Sequence, residues 1–368
     1  MTAPAAAVTD ISAAAYRIPT EKTESDGTLE WDATILVVAE VGGGGKTGLG
    51  YTYAHQAATQ LIEDKLAETI KGCDPLNVAA ANAQMVHAVR NLGATGVVSM
   101  AISAVDIALW DLKARLLDVP LVVALDAVHD TTPIYGSGGF TSYDEHEVAE
   151  QLAGWVDAGI PRVKIKVGRD CEADRKRLAA ARSAIGPDVE LYVDANGAFT
   201  PRTAIDWSHR YRDEFAVRWF EEPVSSDDLD GLRLVRENSP GGIDIAAGEY
   251  GWTPWYFETM LASGAVDCLQ ADVTRCLGVT GFIAAAGLSD AHQIDLSAHC
   301  APQVSAQVST AARRLRHLEY FHDHVRIESM LFDGVLQPES GGVLRPDRSR
   351  PGHGLTFKRA DAERFRIA

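Results

Sequence analysis

The chain is short of positive charge and has no basic run. Its 34 Lys and Arg stand against 51 Asp and Glu, a net charge of −17, which argues against nucleic acid or an anionic membrane as a partner. Cysteine is also scarce. The five residues at 73, 171, 268, 276 and 300 are odd in number and never spaced Cys-x-x-Cys, so a reducing cytoplasm is the expected setting. No apolar stretch is as long as a membrane span. Met1 to Ala15 is Ala-rich but lacks a basic start and carries Asp10, so no signal peptide is expected. There is no low-complexity linker. What is there is a soluble chain of 368 residues, 46% hydrophobic, enough for a large core and two domains.

One stretch organises the rest. Glu190-Leu191-Tyr192-Val193-Asp194-Ala195-Asn196-Gly197 is an apolar run that ends in an acid and then Asn-Gly, a buried strand delivering a carboxylate to a loop. The ending recurs at Glu221, Glu249 and Asp272, and once more with His299. Successive separations are 27, 28, 23 and 27 residues, each room for a strand, a loop and a helix. A parallel barrel of such βα units gathers every strand's C-terminal end on one face. Acids distant in sequence then converge, and three carboxylates within reach of one another call for a cation.

Before the repeat the pattern differs. Ala13 to Tyr53 reads as antiparallel strands, with Trp31 to Val41 turning at Gly42-Gly43-Gly44-Gly45 and returning as Lys46 to Tyr53. The glycines followed by Lys46-Thr47 do not make a phosphate loop, because Glu40 stands where the motif needs a glycine. Thr20 to Gly27 is polar and without apolar period, a loop that covers a site or simply a solvated one. Helices are predicted over 55–71, 77–91 and 97–117, the last with Ala101, Ala104 and Ala108 at helical spacing for close packing. From Thr132 strands and helices alternate: Pro133 to Ser137 first, Arg162 to Val167 second, Leu318 to Phe321 eighth. The expected division is a capping domain over 1–131 with a covering loop at about 17–31, a barrel over 132–329, and a segment over 330–368 packing back on the cap.

Lys164 and Lys166 are two apart on a strand and so face one side. Adjacent ammonium groups and a nearby divalent cation favour the neutral amine, which suits a general base. Asp194, Glu221 and Glu249 offer only hard oxygens, so Mg²⁺ fits better than zinc or copper. Glu221 and Glu222 compete for one inward position. Asp272 could hold the His299 ring through its other nitrogen, and burial could keep Glu319 protonated as a hydrogen-bond donor. Polar residues near strand ends, Ser137, Thr141, Asn196, Arg275, His322 and His324, are expected around a substrate. Arg275 pairs either with a distal carboxylate or with a loop neighbour.

These motifs resemble the mandelate racemase subgroup of the enolase superfamily: Val163-Lys164-Ile165-Lys166-Val167-Gly168, Val193-Asp194-Ala195-Asn196-Gly197, Trp219-Phe220-Glu221-Glu222-Pro223 and Ala247-Gly248-Glu249. Gln270-Ala271-Asp272, Ser297-Ala298-His299 and Leu318-Glu319 resemble it too, as does Ala101 to Leu112. The resemblance implies an α/β fold, a modified (β/α)8 TIM-type barrel with an α+β N-terminal capping domain. It implies Mg²⁺ on Asp194, Glu221 and Glu249, Lys166 with Lys164 as one base, an Asp272–His299 dyad as the other, and Glu319 as electrophile. Asn196, Arg275, Ser137 and His322 are expected to bind substrate. Two departures are visible, Leu277 in Cys276-Leu277-Gly278 and the run Asp126-Ala127-Val128-His129 in place of glycines. The expected reaction is α-proton abstraction from a carboxylate and dehydration of an acid sugar. A racemase or epimerase and a non-catalytic homologue stand as alternatives, and a cycloisomerase is disfavoured because His299 stands where such relatives need Lys. Expected partners are a small carboxylate substrate and further copies of the chain, with neither nucleic acid nor membrane.

Overall fold

The protein is described from a computed structural model over residues 6–368; residues 1–5 of the expected capping range lie outside the described residues. Three antiparallel strands come first, β1 (Val8–Ser25), β2 (Glu30–Gly43) and β3 (Lys46–Tyr53). Gly44-Gly45 makes the two-residue turn between β2 and β3. From Leu36 to Ala39 both faces of β2 are buried. Val37, Ala39 and Val41 pack on helices, while Leu36 and Val38 join the core shared with the barrel. Those helices are α1 (residues 57–70), α2 (Val78–Ala88) and α3 (Val97–Leu117).

The small residues of α3 meet glycines of β3. A Cβ at Gly50 would lie 2.1 Å from the Ala104 carbonyl oxygen, and one at Gly48 would lie 2.1 Å from that of Ala108. Leu277, the departure noted above, holds φ +70, a conformation that costs a side chain energy. Burial of its side chain among α-helical residues of the cap offsets that strain.

The eight strands β4 (Thr132–Gly138), β5 (Arg162–Lys166), β6 (Glu190–Asp194), β7 (Val217–Glu221), β8 (Asp244–Ala247), β9 (Cys268–Ala271), β10 (Asp295–Ala298) and β11 (Leu315–Phe321) follow in order. All neighbours are parallel, and β11 closes on β4 with Glu319 opposite Tyr135. Side chains two apart share a face, which stacks the interior in two layers. Tyr135, Tyr192, Trp219 and His317 form a lower layer, with ring centroids 4.7–5.7 Å apart for the closest pairs. Two residues further along the same strands stand Ser137, Asp194, Glu221 and Glu319. Lys164 and Lys166 span both levels on β5.

The segment 17–31 is not a loop. β1 continues to Ser25 and pairs with β2 again at Glu24↔Trp31 after a register shift beyond Pro19. A ladder needs only backbone groups, so polar side chains such as Thr20 and Thr23 do not prevent it where one face is solvated. Only the tip, residues 26–29, turns. At the other end of the chain, Ile367 N–H donates to Ala15 O and Ala15 N–H donates to Ala368 O, both at 2.9 Å. His353 N–H donates to Asp111 Oδ1 at 2.9 Å on α3. No helix among the described residues is long and apolar enough to cross a membrane.

The contact between β3 and α3 yields a test. Gly50→Ala drives a methyl group into helix backbone that cannot swing aside, and overpacking of this kind costs at least ~1–3 kcal/mol. A lowered midpoint of urea unfolding is expected; an unchanged midpoint would show that the two elements are not held at this distance.

Candidate active site

Register brings the charged groups together. Lys166 pairs with Asp194 and Asp194 with Glu221 along neighbouring strands, while Glu249, Asp272 and His299 follow one or two residues beyond their strands. Gly248 precedes Glu249 at φ +136, and a Cβ there would lie 2.1 Å from the Gln270 carbonyl oxygen. Only glycine lets β8 turn its acid inward at that point.

Lys164 Nζ lies 2.6 Å from Glu221 Oε1, 2.8 Å from Glu319 Oε1 and 3.3 Å from Asp194 Oδ2. Lys166 Nζ lies 2.5 Å from Asp194 Oδ2. Burial alone would lower both lysines, but for Lys164 the Glu221 and Glu319 carboxylates outweigh it, and for Lys166 Asp194 does, so both are raised. The expected depression of the lysines therefore does not hold while these carboxylates are free to pair with them. Glu221 is pushed up to about 8 by burial and by Asp194 beside it, since so few ammonium groups do not neutralise all the acids around them. Glu319 contradicts its expectation. Burial favours the protonated form, yet Lys164 and His299 hold its carboxyl well below the usual range.

His299 Nδ1 lies 2.8 Å from Asp272 Oδ2, and Nε2 lies 3.2 Å from both Glu249 Oε2 and Glu319 Oε2. Burial would lower the imidazole, but Cys300, Glu249, Glu319 and Asp272 raise it well above its ordinary value. Glu222 is not on the barrel's outside. At φ +37 it breaks the strand alternation and stays buried at the C-terminal face, where burial and Glu249 raise its carboxyl.

A cavity of about 490 Å³ lies between the barrel mouth and the β1–β2 hairpin, within the size range of small-ligand sites. Lys166, Asn196, Glu249, Arg275, His299, Cys300, Glu319 and His324 line it from the barrel. Asp26, Leu29, Trp31, Ile35 and Met100 line it from the cap, so the covering wall is largely apolar rather than polar as expected. Asn196 sits at φ +45 with its Oδ1 buried and unpaired. Arg275 takes the loop partners, Glu249 at 3.3 Å and Asp272 at 3.5 Å. Ser137 does not reach the cavity; its hydroxyl donates to Glu319 Oε1 at 2.6 Å. His322 is also displaced, lying 3.2 Å from Glu21 with its ring against Phe140 and Trp155, because it opens a helix after β11 instead of ending the strand. Thr141 donates to Asp26 O at 2.7 Å and supports the hairpin tip. His324 is stacked on Tyr53 at 3.4 Å and pushed down to about 3 by burial and His299, a neutral ring facing the cavity.

The residues present fit a hard divalent cation. Asp194, Glu221 and Glu249 each offer a carboxylate oxygen, all within 4.8 Å of one another and all buried. Glu222 Oε1 has no hydrogen-bond partner and Glu249 Oε2 has only the His299 ring, 3.2 Å away, a costly shortage for buried oxygens that a cation relieves. Every donor is oxygen, the set that Mg²⁺ takes.

Residues 147–362 match a family model described as enolase C-terminal domain-like, and residues 23–125 match the mandelate racemase / muconate lactonizing enzyme N-terminal domain. The chain is 31% identical to L-talarate/galactarate dehydratase of Salmonella typhimurium over 89% of its own length and 81% of that enzyme's. It is likewise 31% identical to the 3,6-anhydro-alpha-L-galactonate cycloisomerase of Streptomyces coelicolor, over 93% and 94%. Among solved structures, a mandelate racemase/muconate lactonizing enzyme-like protein from Rubrobacter xylanophilus superimposes with a TM-score of 0.96 at 53% identity, covering 98% of this chain and 100% of that one. An enolase from Bradyrhizobium, complexed with magnesium and mandelic acid, gives 0.89 at 29% identity with both chains fully covered.

The shared carboxylates give a measurable link between lysine and cation. Lys164→Met leaves buried acids uncompensated, a loss of ~3–5 kcal/mol, and added Mg²⁺ should restore part of it. The expected result is a larger Mg²⁺-dependent rise in melting temperature for the variant than for the wild type. Equal rises would show that ammonium and cation do not compete for the same oxygens.

Proposed function

The chain belongs to the mandelate racemase/muconate lactonizing enzyme family, and we propose that it removes the α-proton of a small carboxylate substrate and dehydrates an acid sugar, an aldonate or aldarate, to a 2-keto-3-deoxy acid. One observation carries the reading: two proton-transfer groups on well-separated strands, Lys166 on β5 and His299 after β10, line one cavity whose wall between them bears the carboxylates. Asp194, Glu221 and Glu249 would hold Mg²⁺, which supplies positive charge to a substrate carboxylate as negative charge builds on it.

The rest is done by the chain. Lys166, which would be released from its ammonium form once the cation engages Asp194, takes the proton from Cα, and the electron pair of that bond becomes the Cα–Cβ double bond of an enol. The β-hydroxyl leaves as water with a proton from His299, whose ring Asp272 orients so that Nε2 faces the cavity. The enol then rearranges to the 2-keto acid. Lys164 holds Glu221 and Glu319 in place, and Glu319 acts as an ionised anchor instead of a neutral donor. Asn196, Arg275 and His324 supply polar partners for hydroxyls, groups an apolar substrate would leave unpaired at ~1–3 kcal/mol each. Talarate/galactarate, arabinonate, rhamnonate and gluconate dehydratases among the relatives support this class. The cap, proposed as residues 1–131, covers the site through its hairpin.

A second reading has its own observation. Leu29, Trp31, Ile35 and Met100 form an apolar wall that suits a ring or alkyl group, and a similar solved structure holds mandelic acid. That pocket would serve racemisation of a 2-hydroxy acid, with Lys166 and His299 exchanging protons on opposite faces.

Incubation with a panel of aldonates and aldarates plus Mg²⁺ should yield a 2-keto-3-deoxy acid from at least one member. Racemisation of a simpler hydroxy acid, with no keto acid from any sugar, would select the second reading. Lys166→Ala and His299→Asn should each lose turnover, while one of them still exchanges the substrate α-proton with deuterated solvent. Full turnover in either variant would remove that residue from its role. Asp194→Ala, Glu221→Ala and Glu249→Ala should all be folded and inactive, and unimpaired activity in EDTA would contradict the metal reading.

A further inference from the structure

We propose a second cation site, selective for a thiophilic divalent ion such as Zn²⁺, formed by His299 Nε2, Cys300 Sγ and Glu319 Oε2 on the cavity wall. The three atoms make a nearly equilateral triangle: sulfur to nitrogen 3.4 Å, sulfur to oxygen 3.2 Å, nitrogen to oxygen 3.2 Å. Bonds of about 2.0–2.3 Å around a tetrahedral zinc ion set its ligand atoms about 3.3–3.7 Å apart. Movements of a few tenths of an ångström would therefore seat an ion. All three residues are buried yet line the cavity, leaving the fourth position open on the cavity side.

Each donor is also held from behind, as ligands of metal sites are. Asp272 at 2.8 Å engages His299 Nδ1 and leaves Nε2 facing inward. Ser137 at 2.6 Å and Lys164 at 2.8 Å engage Glu319 Oε1 and leave Oε2 facing the thiol and the imidazole. Cys300 at φ +49 and Ala301 at φ +42 hold an uncommon left-handed pair. That turn points the thiol to the same side as the preceding imidazole, where a continuing strand would point it away. Strained backbone at a cavity wall is a conformation the surroundings must maintain, and the Ser305 hydroxyl donates to Cys300 O at 2.8 Å to maintain it.

The nitrogen–sulfur–oxygen set differs in kind from the oxygen-only set of Asp194, Glu221 and Glu249, so softness of the ion selects between the neighbours. Glu249 Oε2, 3.2 Å from the same Nε2, lies on the boundary of the two. Binding at the second site does not depend on the reaction proposed above. Its consequence does, because an ion on Nε2 takes the electron pair His299 needs for proton transfer, making Zn²⁺ an inhibitor that Mg²⁺ does not displace.

Co²⁺ added to Mg²⁺-loaded protein tests the site without any substrate. Stoichiometric Co²⁺ should give a thiolate-to-cobalt charge-transfer band in the near ultraviolet, which the oxygen-only site cannot produce. Cys300→Ala should abolish the band, and Cys73→Ala and Cys171→Ala should keep it. Asp272→Asn should weaken Co²⁺ binding ~10–100-fold through loss of ring orientation. Alkylation of Cys300 by iodoacetamide, read by peptide mass, should be slowed by Zn²⁺ in the wild type, which covers the case of a misfolded variant. No band in the wild type, a band that survives Cys300→Ala, or alkylation that Zn²⁺ leaves unchanged would each overturn the proposal. Inactivity on every sugar acid together with a Cys300-dependent band would overturn the dehydratase reading and leave this one standing.

Discussion

A single ammonium group, that of Lys164, sets the conditions at the barrel mouth. It is fully buried and within 3.3 Å of three carboxylates from three strands. Desolvating such charges costs several kcal/mol per ion, and only close pairing with further hydrogen bonds offsets it. Trp219 Nε1 to Glu221 Oε2 at 2.9 Å and Ser137 to Glu319 Oε1 provide some of those bonds. The arrangement still holds more acid than base. The orphaned oxygen on Glu222 is the structural trace of that excess, and a cation is its chemical remedy.

The barrel's geometry follows from the need to keep this charge in place. Aromatic rings of the lower layer fill the interior under the acids and deny water a route from below. Above, in the three-stranded sheet of the cap, the central strand β2 is apolar on both faces from Leu36 to Ala39 because helices cover one and the barrel the other. Its hairpin therefore reaches the cavity from a rigid support, with Trp31 Nε1 donating to the buried Glu24 at 2.9 Å. Fold and site are coupled through this sheet: the glycines that let α3 approach β3 also fix where the hairpin tip stands.

What could be read in the sequence was what alternation controls. Asp194 and Glu221 end regular strands, so spacing alone placed them on one face, and Lys164 and Lys166 followed from a period of two. What could not be read begins where alternation stops. Glu222, Asn196, Cys300 and Ala301 all carry positive φ, and each turns a side chain in a direction no strand pattern foretells. Cys300 had a signal, its position directly after His299, but the strand rule points it outward. The hairpin was obscured differently, by polar side chains on a backbone ladder that does not need apolar ones. The charge states of Glu319 and the lysines were out of reach too, since they depend on which carboxylates lie within 3 Å and not on which residues recur.

The closed aromatic floor makes the cavity a dead end. Tyr135, Tyr192, Trp219 and His317 are all at most 1% exposed, so the floor offers solvent no passage, and the cavity has an entrance beside the hairpin tip. A ligand filling that entrance isolates the groups behind it from bulk water. A proton resting on Lys166 or His299 would then be stored with the molecule it came from, and exchange with solvent would have to wait for the entrance to clear. Isotopic memory, the fraction of label carried from a substrate carbon back to the same molecule, is therefore a property of the barrel's plugged base as much as of the bases themselves.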